Sequence, residues 1–266
     1  MSRTRRQHFG QHFLSSPGHI RQILDAAFTP MQSDRAPLLE IGPGEGALTL
    51  ECLKRLESDR PFWIVEKDPR LIENFWSQQT LPQNATLVHS DFLEWSLPEA
   101  LLSQKFWVLS NLPYSVGTAI VLRLSTLRAH ILGMTLMFQK EVGDRIVATE
   151  EDSERGSLSV WLQNDWAIKR ILKVPPGAFA PPPKVDSVVL SFTPRLQGQI
   201  AETEIDRKIL DTLLRASFGN RRKMIRKTLG DLPERAGLNP ALRPEKLQWE
   251  DWKKLVITQN QTRSNN

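Results

Sequence analysis

The chain has 266 residues, 40% of them hydrophobic, and its 35 basic and 30 acidic side chains give a net charge of +5. This length suits one large domain or one large and one small domain, and the composition excludes global disorder. No apolar run approaches the roughly 18 residues of a membrane span, no secretory signal opens the chain, and the single Cys52 cannot form an internal disulfide, so we expect a cytoplasmic protein.

The charge is distributed unevenly along the chain. Residues 1–21 carry four arginines and no acid, residues 22–194 carry 16 basic and 21 acidic side chains, and residues 195–266 carry 15 basic and 9 acidic ones. An acidic body with basic ends fits a large polyanion held from two sides. The alternative is an ordinary solvated surface.

From about residue 37, apolar runs typical of strands alternate with stretches typical of helices. The first five runs are Pro37–Ile41, Pro61–Glu66, Ala85–His89, Lys105–Ser110 and Leu132–Phe138. This alternation predicts an α/β domain with a mostly parallel sheet. Two later runs, Ala167–Val174 and Val185–Phe192, are joined by a proline-rich link that is too short for a crossover helix. They predict an antiparallel strand pair at the end of the sheet.

After Pro194 the strand pattern stops and helical spacing replaces it. Predicted helices cover Ile205–Phe218, Arg221–Leu229 and Glu245–Leu255, and the polar tail from Gln259 is expected to fray. We therefore predict a catalytic domain over residues 1–195 and a small helical domain over residues 196–266.

Three glycines at alternate positions, Gly42, Gly44 and Gly46, follow the first predicted strand and precede a helix. Without a Cβ atom, such a backbone can turn sharply and come close to a ligand. The GxGxG spacing differs from the GxGxxG of dinucleotide folds, which argues against a dehydrogenase. A glycine-rich turn that binds nothing remains the alternative.

Two acids end the next strands. Glu66 closes the second strand about 20 residues after the glycines, where α/β nucleotide sites place a carboxylate for ribose hydroxyls, and Asp91 follows the third. Each alone is more typical of a solvated turn, but together with the glycines they indicate a nucleotide site. The combination resembles class I S-adenosylmethionine-dependent methyltransferases, and the acidic surroundings suit a sulfonium cation.

The fourth strand leads into Asn111-Leu112-Pro113-Tyr114. A tetrad of this form resembles the signature of enzymes that methylate amino groups of nucleobases. The Asn111 side-chain oxygen and the Leu112 carbonyl could accept the amine protons, Pro113 would fix the turn, and Tyr114 could stack on the base. A base that leaves its stack needs a second side chain to stack on the face opposite Tyr114, and Phe179 is the candidate for this role. The alternatives are a plain strand-to-helix turn for the tetrad and a hydrophobic plug for Phe179.

Further blocks identify a family. They are Phe9-Gly-Gln-His-Phe-Leu14, Gln139-Lys-Glu-Val142, Pro181-Pro-Pro-Lys-Val-Asp-Ser187 and Phe218-Gly-Asn-Arg-Arg-Lys-Met-Ile-Arg226. With these blocks in order, the chain resembles the KsgA group of small-subunit ribosomal RNA adenine N6,N6-dimethyltransferases along nearly its whole length. The resemblance implies a seven-stranded sheet, a helical RNA-binding domain, S-adenosylmethionine as methyl donor, and dimethylation of two adjacent adenosines near the 3′ end of small-subunit rRNA. It also implies a monomer that acts on the immature small subunit during ribosome biogenesis.

The resemblance further implies which residues contact the cofactor. Gly42 would lie at its methionine end, Glu66 at the ribose and Asp91 at the adenine. The family usually has asparagine where this chain has His12, whose ring nitrogens reach differently, so its contact with the cofactor is open. The full set of implied cofactor residues is His12, Leu14, Gly42, Gly44, Glu66, Asp91 and Asn111.

A basic cluster lies in the predicted helical domain. Its members are Arg221, Arg222, Lys223, Arg226 and Lys227. In this family we expect the cluster to bind RNA phosphates, and a solvated helix face is the alternative. Arg3, Arg5 and Arg6 could add a flexible clamp. The histidines show no metal-ligand spacing, so no catalytic metal is predicted.

Three other functions fit parts of the pattern. Erm-type enzymes methylate large-subunit rRNA and usually have isoleucine where this chain has Leu112. DNA adenine methyltransferases typically have proline at that position. A small-subunit assembly factor without activity would have no need of an intact tetrad, so replacement of Asn111 separates a binder from an enzyme.

Overall fold

The computed structural model describes residues 12–264, and the chain forms two compact units. The first, which we call the sheet unit, runs up to Gly143 and resumes over Ile168–Pro194. The second, the helical unit, comprises Asp144–Ala167 and the chain from Arg195 onward. This division differs from the two consecutive domains expected from the sequence, because residues 144–167 belong to the helical unit.

Buried polar contacts account for the place of this internal segment. The Asn164 side-chain oxygen accepts hydrogen bonds from the N–H groups of Ile200 (2.8 Å) and Ala201 (3.0 Å). Asp165, 1% exposed, pairs with Arg207 at 2.5 Å. An unpaired buried polar group is destabilising, so these bonds hold the segment to the C-terminal helices. Contacts between residues so far apart leave no periodic pattern in the sequence, so the sequence did not predict them.

Seven strands form the main sheet, and two short ones form a separate antiparallel pair. Their bounds are β1 (Phe13–Leu14), β2 (Leu38–Ile41), β3 (Phe62–Glu66), β4 (Ala85–His89), β5 (Phe106–Asn111), β6 (Ile131–Gln139), β7 (Trp166–Val174), β8 (Phe179–Ala180) and β9 (Ser187–Pro194).

The main sheet has the order β4-β3-β2-β5-β6-β9-β7. The first five of these strands are parallel, β9 is antiparallel to β6, and β7 is an edge strand beside β9. All seven predicted apolar runs are strands, so the predicted α/β class and seven-stranded sheet are confirmed. All four residues of β2 are buried, as expected of a central parallel strand covered on both faces.

Seven helices precede β7 in the described chain. They are α1 (Pro17–Phe28), α2 (Thr49–Arg55), α3 (Pro69–Asn74), α4 (Glu99–Leu102), α5 (Gly117–Thr126), α6 (Lys140–Val147) and α7 (Ser157–Asp165). Proline at the first position starts α1 and α3, where its missing N–H costs nothing. The sheet-unit core joins Leu24 of α1 to strand residues such as Ile64, Leu109 and Val189.

The helical unit is built on α8 (Glu204–Phe218), α9 (Arg226–Leu229), α10 (Leu232–Arg235) and α11 (Trp249–Ser264). A capping box between Thr203 and Asp206 starts α8. The core packs Leu210 and Leu214 with Trp252, which is 0% exposed. The predicted helix over residues 205–218 is confirmed.

Two helix predictions here are wrong at their ends. Arg221–Leu229 is helical only from Arg226, because the N–H groups of Ile225 and Arg226 bond to the distant carbonyls of Leu242 and Pro240. The predicted helix over residues 245–255 begins at Trp249, after a 3₁₀ turn over Pro244–Lys246. It also continues to Ser264 instead of fraying, since the Asn260 amide donates to Asp206 at 3.0 Å. Among residues 12–264, no helix is both long and apolar enough to cross a membrane.

Candidate active site

The proposed site residues meet at one edge of the sheet unit. β4, β3, β2 and β5 are consecutive parallel neighbours, so their carboxyl ends lie side by side. This brings together the glycine loop after β2, Glu66, Asp91 and Asn111. The carboxyl edge of such a sheet is where α/β proteins bind ligands.

The glycine loop needs glycine at each alternate position. Gly42, Gly44 and Gly46 have φ values of +66°, +59° and +72°, a conformation that other residues rarely adopt. A Cβ atom on Gly44 would lie 3.0 Å from the Phe13 ring. The Trp76 indole N–H donates to the Gly44 carbonyl at 3.0 Å. The Phe13 and Trp76 side chains therefore fix the loop, and Phe13 leaves little room for a Cβ atom at Gly44.

Glu66 connects the end of β3 to this loop. One carboxylate oxygen accepts from the Gly44 N–H (3.2 Å) and the other from the Asp68 N–H (2.7 Å). The residue is 5% exposed, and burial raises the pKa of its carboxyl. The carboxyl is thus held in one position with lone pairs left for further donors.

Asp91 has an ion-pair partner that the sequence pattern did not indicate. One of its oxygens accepts from Lys67 Nζ at 2.6 Å and the other from the Leu93 N–H at 2.9 Å. The hydrogen bond from Lys67 holds the pKa of the Asp91 carboxyl below its usual range. Asp91 is therefore a fixed carboxylate, with its remaining lone pairs available to an amine.

Arg123 of α5 braces the segment after Asp91. Its guanidinium donates to the carbonyls of Leu93 and Trp95 and lies 5.3 Å from the centre of the Phe92 ring. This arginine was not among the predicted site residues, because nothing in its helix marks it as different from a solvated cation.

The Asn111–Tyr114 tetrad adjoins the glycine loop. Ser110 donates a 2.5 Å hydrogen bond to the Ile41 carbonyl, and a Cβ atom on Gly42 would lie 3.6 Å from the Pro113 ring. Within the described residues the Asn111 side-chain amide has no hydrogen-bond partner. Asn111 thus carries an unused acceptor beside the loop.

Tyr114 forms one side of a shallow depression. Its hydroxyl is 2.6 Å from Ser187 Oγ, and partial burial raises its pKa. Its ring lies 5.7 Å from the His12 ring, with 36° between their planes. The depression, with a cavity volume of only about 10 Å³, is lined by Leu112, Pro113, Tyr114, Gly117, Thr118, Phe138, Gln139 and Val142.

The remaining predicted residues are His12, which lies near Tyr114, and Leu14 and Phe179, which are buried. His12 Nδ1 donates to the Pro181 carbonyl at 2.8 Å. Leu14 and Phe179 pair across the β1–β8 ladder, and each is 4% exposed. Phe179 packs in the core of the sheet unit, as a hydrophobic plug would, and the structure does not bring its ring to the surface beside Tyr114. Its stacking role stays a prediction.

A buried acid in β2 also escaped the sequence pattern. Glu40 is 1% exposed, and one of its oxygens has no hydrogen-bond partner among the described residues. Burial, assisted by the nearby Glu66 carboxylate, raises the pKa of Glu40 to about 8. The only available signal was a charged residue within the apolar run Leu38–Ile41.

The predicted basic cluster lies in the helical unit. Its residues follow α8 in a turn and continue into α9. Four of the five side chains are exposed and one is half-buried, and none has an ion pair with an acid within residues 12–264. The predicted arginine clamp at residues 3, 5 and 6 lies outside the described residues. The cluster members are Arg221, Arg222, Lys223, Arg226 and Lys227.

Comparisons with known proteins show which family the chain resembles. A family model described as ribosomal RNA adenine dimethylase matches residues 2–254. The chain is 37% identical over 252 residues to the ribosomal RNA small subunit methyltransferase A of Aromatoleum aromaticum, covering 93% of this chain and 91% of that protein. The corresponding protein of Pseudomonas aeruginosa is 37% identical over 248 residues, covering 91% and 90%.

Two solved structures share the fold. A dimethyladenosine transferase from Plasmodium falciparum superposes with a TM-score of 0.74 at 24% identity, covering 94% of this chain and 98% of that one. The 23S rRNA methyltransferase ErmE superposes with a TM-score of 0.68 at 23% identity, covering 93% and 99%.

Proposed function

The chain belongs to the ribosomal RNA adenine dimethylase family, and on that basis we propose that it methylates N6 of two adjacent adenosines near the 3′ end of small-subunit rRNA. Each adenosine would receive two methyl groups from S-adenosylmethionine. The family membership makes the chain a methyltransferase that acts on rRNA.

One observation carries the proposal. The glycine loop and the Asn111–Tyr114 tetrad are in contact, with Pro113 next to Gly42 and Ser110 bonded to the carbonyl before it. A donor held by the loop and a base held by the tetrad would therefore be neighbours. Proximity of this kind supplies a large share of the rate when two reactants must meet in line.

The residues at the sheet edge fit S-adenosylmethionine. The positive φ values of the glycine loop let its backbone come close to a ligand, Glu66 offers carboxylate lone pairs to ribose hydroxyls, and Asp91 offers them to the adenine amine. The bound cofactor supplies an electrophilic methyl group on a sulfonium. Glu66 and Asp91 place negative charge along the edge that would hold this cation.

At the acceptor end the chain binds and orients the base. Asn111 Oδ1 and the Leu112 carbonyl would accept the two amine protons, which directs the nitrogen lone pair toward the methyl group. Tyr114 would stack on the ring. No strong general base is required, since the ammonium formed is acidic. The carbonyl dipoles stabilise the positive charge that develops on nitrogen.

The helical unit would bind the rRNA through its basic cluster. Five cations with no acidic partner in the described part of the chain suit RNA phosphates better than a surface that only needs solubility. We further propose that the substrate is an immature small subunit, that the protein acts as a monomer, and that it works in the cytoplasm.

Methyl transfer tests the proposal directly. Labelled S-adenosylmethionine is supplied with small subunits that lack the dimethyl marks, and large subunits and free rRNA are run in parallel. Nucleoside mass spectrometry should find dimethyladenosine on the small subunit. Asn111→Ala should abolish it, whereas Asn111→Asp, which keeps an acceptor oxygen, should retain part of the activity. Circular dichroism and the urea-unfolding midpoint show that both variants are folded.

Two outcomes would overturn the proposal. Label confined to large-subunit RNA would assign the chain to the Erm-type activity. Binding to small subunits with no transfer to any substrate would leave an assembly factor, and full function of Asn111→Ala would point the same way.

A further inference from the structure

A group of lysines lies beside the Tyr114 depression in the sheet unit. Lys140 follows Gln139, which lines the depression; Lys184 lies in the proline-rich segment; and Lys173 is near the end of β7. We call these three residues the lysine rim. Lys169 continues the same face of β7, because residues four apart on a strand point to the same side.

The rim is attached to the Tyr114 contact through one residue. Lys173 Nζ lies 2.8 Å from a carboxylate oxygen of Asp186, and the Lys140 N–H donates to the Asp186 carbonyl at 2.9 Å. The next residue, Ser187, bonds to the Tyr114 hydroxyl. Lys140 and Lys173 therefore both contact Asp186, and the residue after it contacts Tyr114, the side chain proposed to stack on the base.

Composition alone does not account for these cations. Residues 22–194 carry 16 basic and 21 acidic side chains, yet Lys173 pairs with the Asp186 carboxylate and Lys184 precedes that residue by two positions. Lys173 is 62% exposed, and Lys184 is exposed with no ion pair among residues 12–264. Exposed pairs such as Lys173–Asp186 contribute little to stability, so the charges of Lys173 and Lys184 remain available to a polyanion.

Protection of the sheet edge is the competing explanation. β7 is an edge strand, and lysines on such strands discourage pairing with other chains. This accounts for Lys169 and Lys173. It does not account for Lys140 and Lys184, which lie outside β7.

We propose that the lysine rim binds the phosphates of the nucleotides that flank the target adenosine, an inference that rests on the proposed function. An adenine that enters the Tyr114 depression must leave its stack, and its neighbours' phosphates are then held near the rim. Ammonium groups on flexible stems suit phosphates of an extruded strand, whose positions differ from those of a regular helix. The rim would act with the basic cluster of the helical unit on the same RNA.

The salt dependence of binding tests this inference. Full-length Lys173→Gln is compared with wild type for binding to unmethylated small subunits between 50 and 200 mM salt. One lost phosphate contact lowers the slope of log affinity against log salt by about 0.7–0.9. The ratio of wild-type to variant affinity should then fall about threefold across this range. Asp186→Asn, which frees Lys173, should bind more tightly than wild type at 50 mM.

Lys54→Gln is the matched control, because Lys54 is 68% exposed and pairs with Glu51 at 2.6 Å elsewhere in the sheet unit. Its slope should equal that of wild type. If Lys173→Gln behaves like Lys54→Gln, the rim does not bind phosphate. Lys184→Gln, which breaks no ion pair, replaces Lys173→Gln if that variant loses its cofactor binding. Wild-type methyl transfer to small subunits is measured in the same preparation. If transfer occurs, an unchanged salt slope for the lysine variant overturns the role of the rim alone. If no transfer occurs, the proposed function fails as well.

Discussion

Replacing the buried Glu40 by glutamine should change how the stability of the protein depends on pH. In the folded chain this carboxyl is 1% exposed and its pKa is raised to about 8, chiefly by burial, against an ordinary value of 4.5. Between these two values the folded state binds one proton more than the unfolded state. Stability from this group is therefore fully present below pH 4.5 and is lost as the pH rises through about 8.

The magnitude follows from proton linkage. A difference of one bound proton changes the free energy of unfolding by about 1.4 kcal/mol per pH unit. Glutamine has a similar shape and no proton to lose, so the difference between Glu40→Gln and wild type should grow in favour of the variant as pH rises. From pH 5 to pH 8 the change sums to about 3.5 kcal/mol, since the group is half ionised in the folded state at pH 8.

Urea unfolding followed by circular dichroism at pH 5, 6.5 and 8 measures this difference. Glu51→Gln, at an exposed carboxyl of α2, is the control for the substitution at a surface site. A difference between Glu40→Gln and wild type that stays constant over this range would refute the reasoning, because it would mean that Glu40 is ionised in the folded protein.

Three further predictions concern the loop, the base and the RNA. Gly44→Ala should destabilise the protein by about 1–2 kcal/mol and weaken cofactor binding in calorimetry, because φ is +59° and Phe13 occupies the Cβ position; Gly18→Ala, with open space around it, should do neither. Tyr114→Leu should cost about 1–3 kcal/mol in kcat/KM for rRNA through lost stacking, whereas Tyr114→Phe should lose only the Ser187 bond; equal losses would contradict the stacking role. The double variant Arg222→Gln/Lys223→Gln should reduce the salt slope of small-subunit binding by about one per lost phosphate contact, and an unchanged slope would remove these residues from the RNA interface.

Strands and most of the site were predictable because their signals are local. Each apolar run of the sheet is bounded by turn residues, so all seven strands could be read from composition and length. The glycine loop, Glu66, Asp91 and Asn111 each follow a strand, and parallel strands bring their carboxyl ends together whatever the details of packing.

Signals that depend on distant partners were missed. Lys67 and Arg123 look like solvated cations in sequence, and only the folded chain places them against Asp91 and the carbonyls after it. Phe179, the candidate for a second stacking wall, packs in the core because its strand pairs with Leu14 of β1, and its stacking role stays a prediction. The short basic helix starts at Arg226, because Pro240 and Leu242 compete for the backbone of the preceding turn.

The amino-acid sequence alone was sufficient for the fold class, the family and the set of residues that meet at the sheet edge, because periodicity and short motifs depend on neighbouring residues. Packing decided the rest. It assigned residues 144–167 to the helical unit through the bonds of Asn164 and Asp165, and it buried Glu40 with no partner for one oxygen within residues 12–264. Burial and long-range hydrogen bonds join residues far apart in the chain, and the energies they set, such as the raised pKa of Glu40, exist only once those residues meet.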